Sequence, residues 1–177
     1  MESARDALDA YAPAFEAAYQ EMLRAKIGLA DAREGDFDLG LDLLKRMAEQ
    51  KADFTNTFRR LADVRADDPT TDRHVRAEFA DPDAFDGWAE QWRARLAAEP
   101  RPEEDRRAAM RAVNPAYIPR NHRVEQAIDA AVRDMDLQPL EDLLQVVSSP
   151  FADHEELAGH REPPHPEEVV QRTFCGT

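Results

Sequence analysis

The residues most suited to chemistry lie toward the end of the chain. His154, His160 and His165 stand beside Glu155, Glu156 and Glu162, and imidazole with carboxylate is a zinc-binding combination. Their spacing fits no ordered helix face, and Pro163, Pro164 and Pro166 argue for irregular chain, so no metal ligand is assigned. Cys175 is the single cysteine. It excludes an internal disulfide and a cysteine-based zinc cluster. A thiol this close to the last residue is open to exchange, although an inert exposed thiol reads equally well. Farther back, Asn114-Pro115-Ala116-Tyr117-Ile118-Pro119-Arg120-Asn121 is a loop with two prolines and a polar close. Arg120 and Asn121 look like a functional pair. The simpler reading is that they tie buried loop backbone to neighbouring helices, with Tyr117 as an anchor whose hydroxyl is satisfied. No catalytic or cofactor-binding residue is assigned.

The totals restrict the partners. The 177 residues carry a formal net charge of -14, with 42% hydrophobic and 34% charged side chains. That length suffices for a folded domain with its own core. Such acidity repels nucleic acid and anionic membranes, and is read first as a device for solubility. No apolar run approaches the roughly 20 residues that cross a bilayer. The start, Met1-Glu2-Ser3-Ala4-Arg5-Asp6, has no basic stretch followed by an apolar one. With one cysteine, this fits a reducing, cytoplasmic setting.

Helical periodicity runs almost throughout. A first helix is expected over Asp6 to Ile27, with Tyr11, Phe15, Ala18, Tyr19, Met22 and Leu23 as its apolar stripe and Gly28 as a left-handed stop. A second, from about Asp38 to Lys51, should bury Leu41, Leu44, Met47 and Ala48. A third, capped by Asp53, should bury Phe54, Phe58, Leu61 and Ala62. Asp67-Asp68-Pro69 signals a turn. After Asp83, Phe85, Trp88, Ala89, Trp92 and Leu96 share a face, and their spacing favours core over an exposed partner patch. Pro102 is the expected first position of the next helix, which runs to about Ala112 with acidic residues in its first turn. Val124, Ala127, Ile128, Ala131 and Val132 mark another. Pro139 opens the last, with Leu140, Leu143, Leu144 and Val147 facing inward. The expected fold is all-α, an irregular bundle of about seven helices over residues 1–150, followed by a proline-rich, mostly irregular tail over 151–177. A few extended residues are possible around Val169-Val170.

Several blocks resemble the SelO (selenoprotein O) family of pseudokinase-like protein adenylyltransferases. They are Tyr19 to Leu29, Ala52 to Leu61, the tryptophan helix Trp88 to Leu96, the Asn114–Asn121 loop, and the ending Val170-Gln171-Arg172-Thr173-Phe174-Cys175-Gly176-Thr177. They occur in the family's order and span essentially the whole chain. The Asn114, Pro115, Tyr117, Arg120, Asn121 block is the most diagnostic.

The resemblance implies the later part of a kinase-like C-lobe with family-specific helices. It further implies AMPylation, the transfer of AMP from ATP to hydroxyl side chains of proteins, with ATP and Mg or Mn as cofactors of the full-length enzyme. The expected partners are an N-terminal kinase-like part and protein substrates. Cys175 would form a redox-regulatory disulfide with a cysteine outside these residues. The chain itself has six glycines and no Gly-x-Gly-x-x-Gly, His-Arg-Asp or Asp-Phe-Gly sequence. It is therefore expected to lack the nucleotide site and to be inactive alone. The alternatives are a stand-alone helical binding or scaffold module, and a small hydrolase using the acidic residues and tail histidines.

Overall fold

The computed structural model of the chain describes residues 2–171, with side chains from Leu8 onward. Among them the chain is all-α. The helices are α1 (Glu2–Lys26), α2 (Asp36–Gln50), α3 (Phe54–Leu61), α4 (Arg73–Arg76), α5 (Pro82–Leu96), α6 (Glu103–Val113), α7 (Asn121–Arg133) and α8 (Gln138–Ser148). The single turn α4, preceded by a 3-10 turn over Pro69–Asp72, has no periodic signal and is the helix that pattern alone passes over. No strand occurs among the described residues, Val169 and Val170 included.

The chain divides into two compact units, Met1–Val113 and Asn114–Thr177. The division falls after α6. Beyond Pro150 the described residues include a 3-10 segment over Glu155–Arg161 that packs on α8 and a 3-10 turn over Pro166–Glu168.

The first unit has an apolar core. Phe58, Leu61, Val64, Val75, Phe85, Trp88, Trp92 and Met110 are essentially without solvent contact. The expected α5 face is all inside: Phe85, Trp88, Ala89, Trp92 and Leu96. The two indoles stack at 5.6 Å. Their ring N–H groups donate to backbone carbonyls, Trp88 to Leu39 (2.9 Å) and Trp92 to Ile27 (2.8 Å), so two large side chains are buried with no polar atom unmet. These bonds hold the start of α2 and the end of α1 against α5.

Helix ends follow local chemistry. At the close of α1, Gly28 (φ 81°) sits in the left-handed region. Its N–H donates to Ala25 O and that of Leu29 to Arg24 O, which satisfies two orphan carbonyls. Asp53 caps α3, its carboxylate accepting from Asn56 N at 2.8 Å. Lys51 closes α2 in the same left-handed region, at φ 56°. Pro102 lies just outside α6 and supplies the carbonyl that accepts from Arg106 N.

Some expected core faces are turned. The buried side of α2 is Asp36, Gly40, Leu43 and Met47, whereas Leu41 and Ala48 are exposed. The cause is Gly40: a Cβ there would lie 2.5 Å from Leu23 Cγ, so the Leu23 side chain of α1 packs directly on the bare Gly40 backbone of α2. Phe54 is half exposed and covered by the Lys26 ammonium, which lies over the Phe54 and Phe58 rings at 5.6 and 5.1 Å. On α1, Leu23 is buried, but Tyr11, Phe15 and Met22 face solvent.

The second unit has a small core of Ala116, Tyr117, Leu143 and Val146, with Val124, Val147 and Leu157 at its edge. Here α7 packs on α8. Of the apolar faces expected there, Ala127 and Leu143 are buried, while Ile128, Val132, Leu140 and Leu144 remain open.

Candidate functional site: the Asn114–Asn121 loop

The loop that opens the second unit is organised by Tyr117. Its backbone N–H and that of Ala116 both donate to Pro150 O, at 3.2 and 2.7 Å. The phenol is buried, and its hydroxyl is fully used. It donates to His154 O (2.9 Å), and accepts from His154 N (3.1 Å) and Arg161 Nη2 (3.0 Å). The Arg161 guanidinium also lies 4.7 Å from the ring centroid, a cation–π contact, and bonds the Asp153 carboxylate at 2.8 Å. The tail therefore returns to the loop through one side chain.

The other loop residues separate. Asn114 is completely buried and Pro115 half buried. Arg120 is buried and its carbonyl begins α7 by accepting from Arg123 N and Val124 N. Asn121, the first residue of α7, is exposed. Arg120 and Asn121 thus lie on opposite sides of the helix start, one inward and one outward. Their neighbour His122 is buried too. Burial pushes its imidazole below the ordinary value, the neighbouring Arg123, Arg120 and His165 act the same way, and Glu168 opposes them. His122, Arg120, Pro119, Glu168 and Val170 line an open cleft of about 320 Å³. Glu168 is held below the usual carboxylate range, chiefly by the His165 N–H at 2.9 Å and also by Gln126 at 2.8 Å.

His122, Arg161 and the backbone of His154 carry this arrangement, and sequence reasoning passes over all three. The motif ends visibly at Asn121, and nothing in spacing links Tyr117 to an arginine 44 residues on. The tail histidines do not converge. The His154 ring lies against Ser149 Oγ (2.8 Å) and the His160 ring against Leu157 O (3.3 Å). Among the described residues no three His, Cys, Asp or Glu side chains are grouped to hold a metal. Cys175 lies outside the described residues.

A second polar cluster lies within the first unit. Arg95 bonds the buried Asp36 carboxylate at 2.6 and 3.1 Å, pairs with Glu99 at 2.6 Å, and donates to Asp31 O at 2.8 Å. Asp36 in turn accepts from Arg33 N, and Glu99 from Ala30 N. Hydrogen bonding to Asp36 raises the Arg95 guanidinium above its ordinary value. Through these bonds the cluster ties the α1–α2 connection to α5.

The sequence holds no glycine-rich phosphate loop. Phosphate charge needs clustered backbone N–H groups, a cation or a metal. The glycines are spaced singly at 28, 35, 40, 87, 159 and 176. Gly28 terminates α1 and Gly40 makes a helix crossing. No helix of the described residues is long and apolar enough to cross a membrane.

Comparison with known proteins gives a single direction. Residues 1–148 match the sequence model of the family described as "Protein adenylyltransferase SelO". Proteins named "Protein nucleotidyltransferase YdiU" align over nearly all of this chain. That of Bradyrhizobium diazoefficiens is 51% identical over 177 residues, covering 100% of this chain and 36% of the relative. That of Rhodopseudomonas palustris (strain ATCC BAA-98 / CGA009) is also 51% identical with the same coverage. That of Alkalilimnicola ehrlichii is 49% identical over 174 residues, covering 98% of this chain and 35% of the relative. The chain thus spans about a third of the length of these relatives. With a family match over residues 1–148, most of its length, the chain belongs to the SelO family.

Proposed function

We propose that these 177 residues are the C-terminal helical part of a SelO-type protein AMPylase, a support lobe that holds no nucleotide site of its own. In the whole enzyme a substrate hydroxyl oxygen would attack the α-phosphorus of ATP, AMP would be transferred, and pyrophosphate would leave. The kinase-like part carrying ATP and its Mg or Mn lies outside this chain. The observation that carries the reading is the family match over residues 1–148 in a chain that covers only 36% of the first relative. Gly28 at the α1 stop, Gly40 under Leu23, and Asp36 and Glu99 paired with Arg95 are structural placements that support it.

The lobe contributes stiffness. Its loop and tail are bonded to one another through Tyr117, and its α1–α2 connection to α5 through Arg95. The role extends to shaping access for protein substrates in the cytoplasm, and Cys175 is the residue through which the tail would respond to redox state. Calorimetry with ATP and Mg or Mn tests the reading. Heat is expected from a longer family protein and none from this chain, and saturable binding by this chain alone would overturn it.

One observation favours a second reading, a helical protein-binding module. Between α7 and α8 an apolar groove of about 220 Å³ is lined by Val124, Ile128, Val132, Leu140 and Leu143, a form suited to a partner helix. An adjacent reading frame encoding a glycine-rich loop and a metal-binding aspartate would favour the enzyme over the module.

A further inference from the structure

Between Leu8 and Ala18 no side chain of α1 is covered by another described residue. Every residue from Leu8 to Ala18 is exposed, although Leu8, Tyr11, Phe15, Ala18 and Met22 recur at alternating steps of three and four. Leu8, Tyr11 and Phe15 are 72%, 67% and 59% open. Aromatic side chains present roughly 150–250 Å² each, so this stripe exposes several hundred Å² of apolar surface, at the upper end of what a soluble monomer leaves bare. The stripe is ordered. Tyr11, Phe15 and Tyr19 stack in sequence at 6.1 Å each, and Tyr19 meets Phe37 edge-on at 5.6 Å. Phe37 packs against the core of the first unit, so the ladder is that core continued outward with its other side uncovered.

We infer that the Leu8–Met22 face of α1 is the seat on which the rest of the SelO polypeptide docks, against an apolar surface rimmed by lysine or arginine. This rests on the reading of the chain as part of a longer enzyme. Three observations choose this occupant. Relatives matching the chain are almost three times as long as it is, so ample protein lies outside these residues to cover the face. The family match runs from residue 1 and includes α1, so the helix belongs to the shared family region. The charge around the stripe is one-sided: Asp9, Glu16 and Glu21 flank it, and no lysine or arginine lies between Leu8 and Leu23. A second copy docked by two-fold symmetry would set carboxylates against carboxylates, whereas a basic rim would be attracted. Within one polypeptide the effective concentration is high, so a face of this size suffices.

Hydrogen–deuterium exchange tests the inference in a chimera. These 177 residues replace the matching segment of the Bradyrhizobium diazoefficiens relative and are compared with the chain alone. Amides of residues 9–12 and 14–19, on either side of Pro13, are expected to exchange at least 100-fold more slowly in the chimera. Phe15→Asp should remove that protection while leaving the Trp88 and Trp92 emission unchanged, and Gln20→Glu should not. Equal exchange in both proteins overturns the inference. So does protection in the chain alone that rises with its concentration, since the occupant would then be a second copy. Calorimetry with ATP on the same chimera keeps the two proposals apart. Protected α1 without ATP binding sinks the enzyme reading and leaves the docking face standing, and ATP binding with unprotected α1 does the reverse.

Discussion

The two compact units solve the same problem with different materials. The first, Met1–Val113, encloses a broad apolar core around two stacked indoles, and its polar atoms serve that core. Even Arg106, buried with its guanidinium 5.3 Å from the Trp92 ring, is there to reach Val64 O at 2.6 Å; burial lowers its hold on the proton. Among its described residues the second unit buries five apolar side chains, Ala116, Tyr117, Ala127, Leu143 and Val146, and it is centred on a phenol hydroxyl with three partners. Small cores bury too little surface to be held by it alone. Where apolar area is short, directional bonds define the structure, and each becomes costly to lose.

The largest effect is expected from Trp92→Ala. Removing a fully buried indole should destabilise the first unit by about 3–5 kcal/mol, read by urea unfolding with Trp88 emission as the signal. Both tryptophans lie in the first unit, so emission reports on it alone. Tyr117→Phe comes next. It leaves His154 N, His154 O and Arg161 without their shared partner and should cost the second unit about 1–3 kcal/mol. Exchange of α7 and α8 amides should rise while tryptophan emission holds steady. A loss seen equally in both units would erase the distinction.

A pH series sharpens the contrast by a smaller amount. His122 is lowered in the folded state, by burial first, with Arg123, Arg120 and His165 adding to it and Glu168 opposing. Below its ordinary value of about 6.5 the unfolded chain therefore binds the proton more readily than the folded one. Stability of the second unit should be full above that pH and fall as pH drops through it. His122→Gln should flatten that portion of the curve, and an unchanged slope would remove His122 as its cause. The smallest effect is a gain. Lys51 holds a left-handed conformation at φ 56°, so Lys51→Gly should stabilise the first unit by about 1 kcal/mol, measured as a higher urea midpoint.

Legibility in the sequence follows the same division. The α5 face, the Asp53 cap and the Gly28 stop were all readable, because each depends on neighbours within one or two turns. The α2 face was not. Its inward side is chosen by the close pass of Leu23 over Gly40, a contact between distant positions. On α1, α7 and α8 the periodicity marks amphipathic helices, but it cannot say whether the apolar side has a partner within this chain. The Asn114–Asn121 loop was recognisable as a unit, with Tyr117 as its anchor. Its partners His154 and Arg161 were hidden because tail residues joined by hydrogen bonds leave no period. His122 was hidden because burial of a single histidine leaves none either.

The crossing at Gly40 makes the separation of α1 and α2 a matter of shape alone. One added methyl group would act as a wedge 2.5 Å from Leu23 Cγ, and it would pry apart the hairpin that carries the bare stripe of α1. Trimming Leu23 at the same time should make room for that methyl, so the two positions behave as a gauge block and its gap: either may be resized only if the other is cut to match.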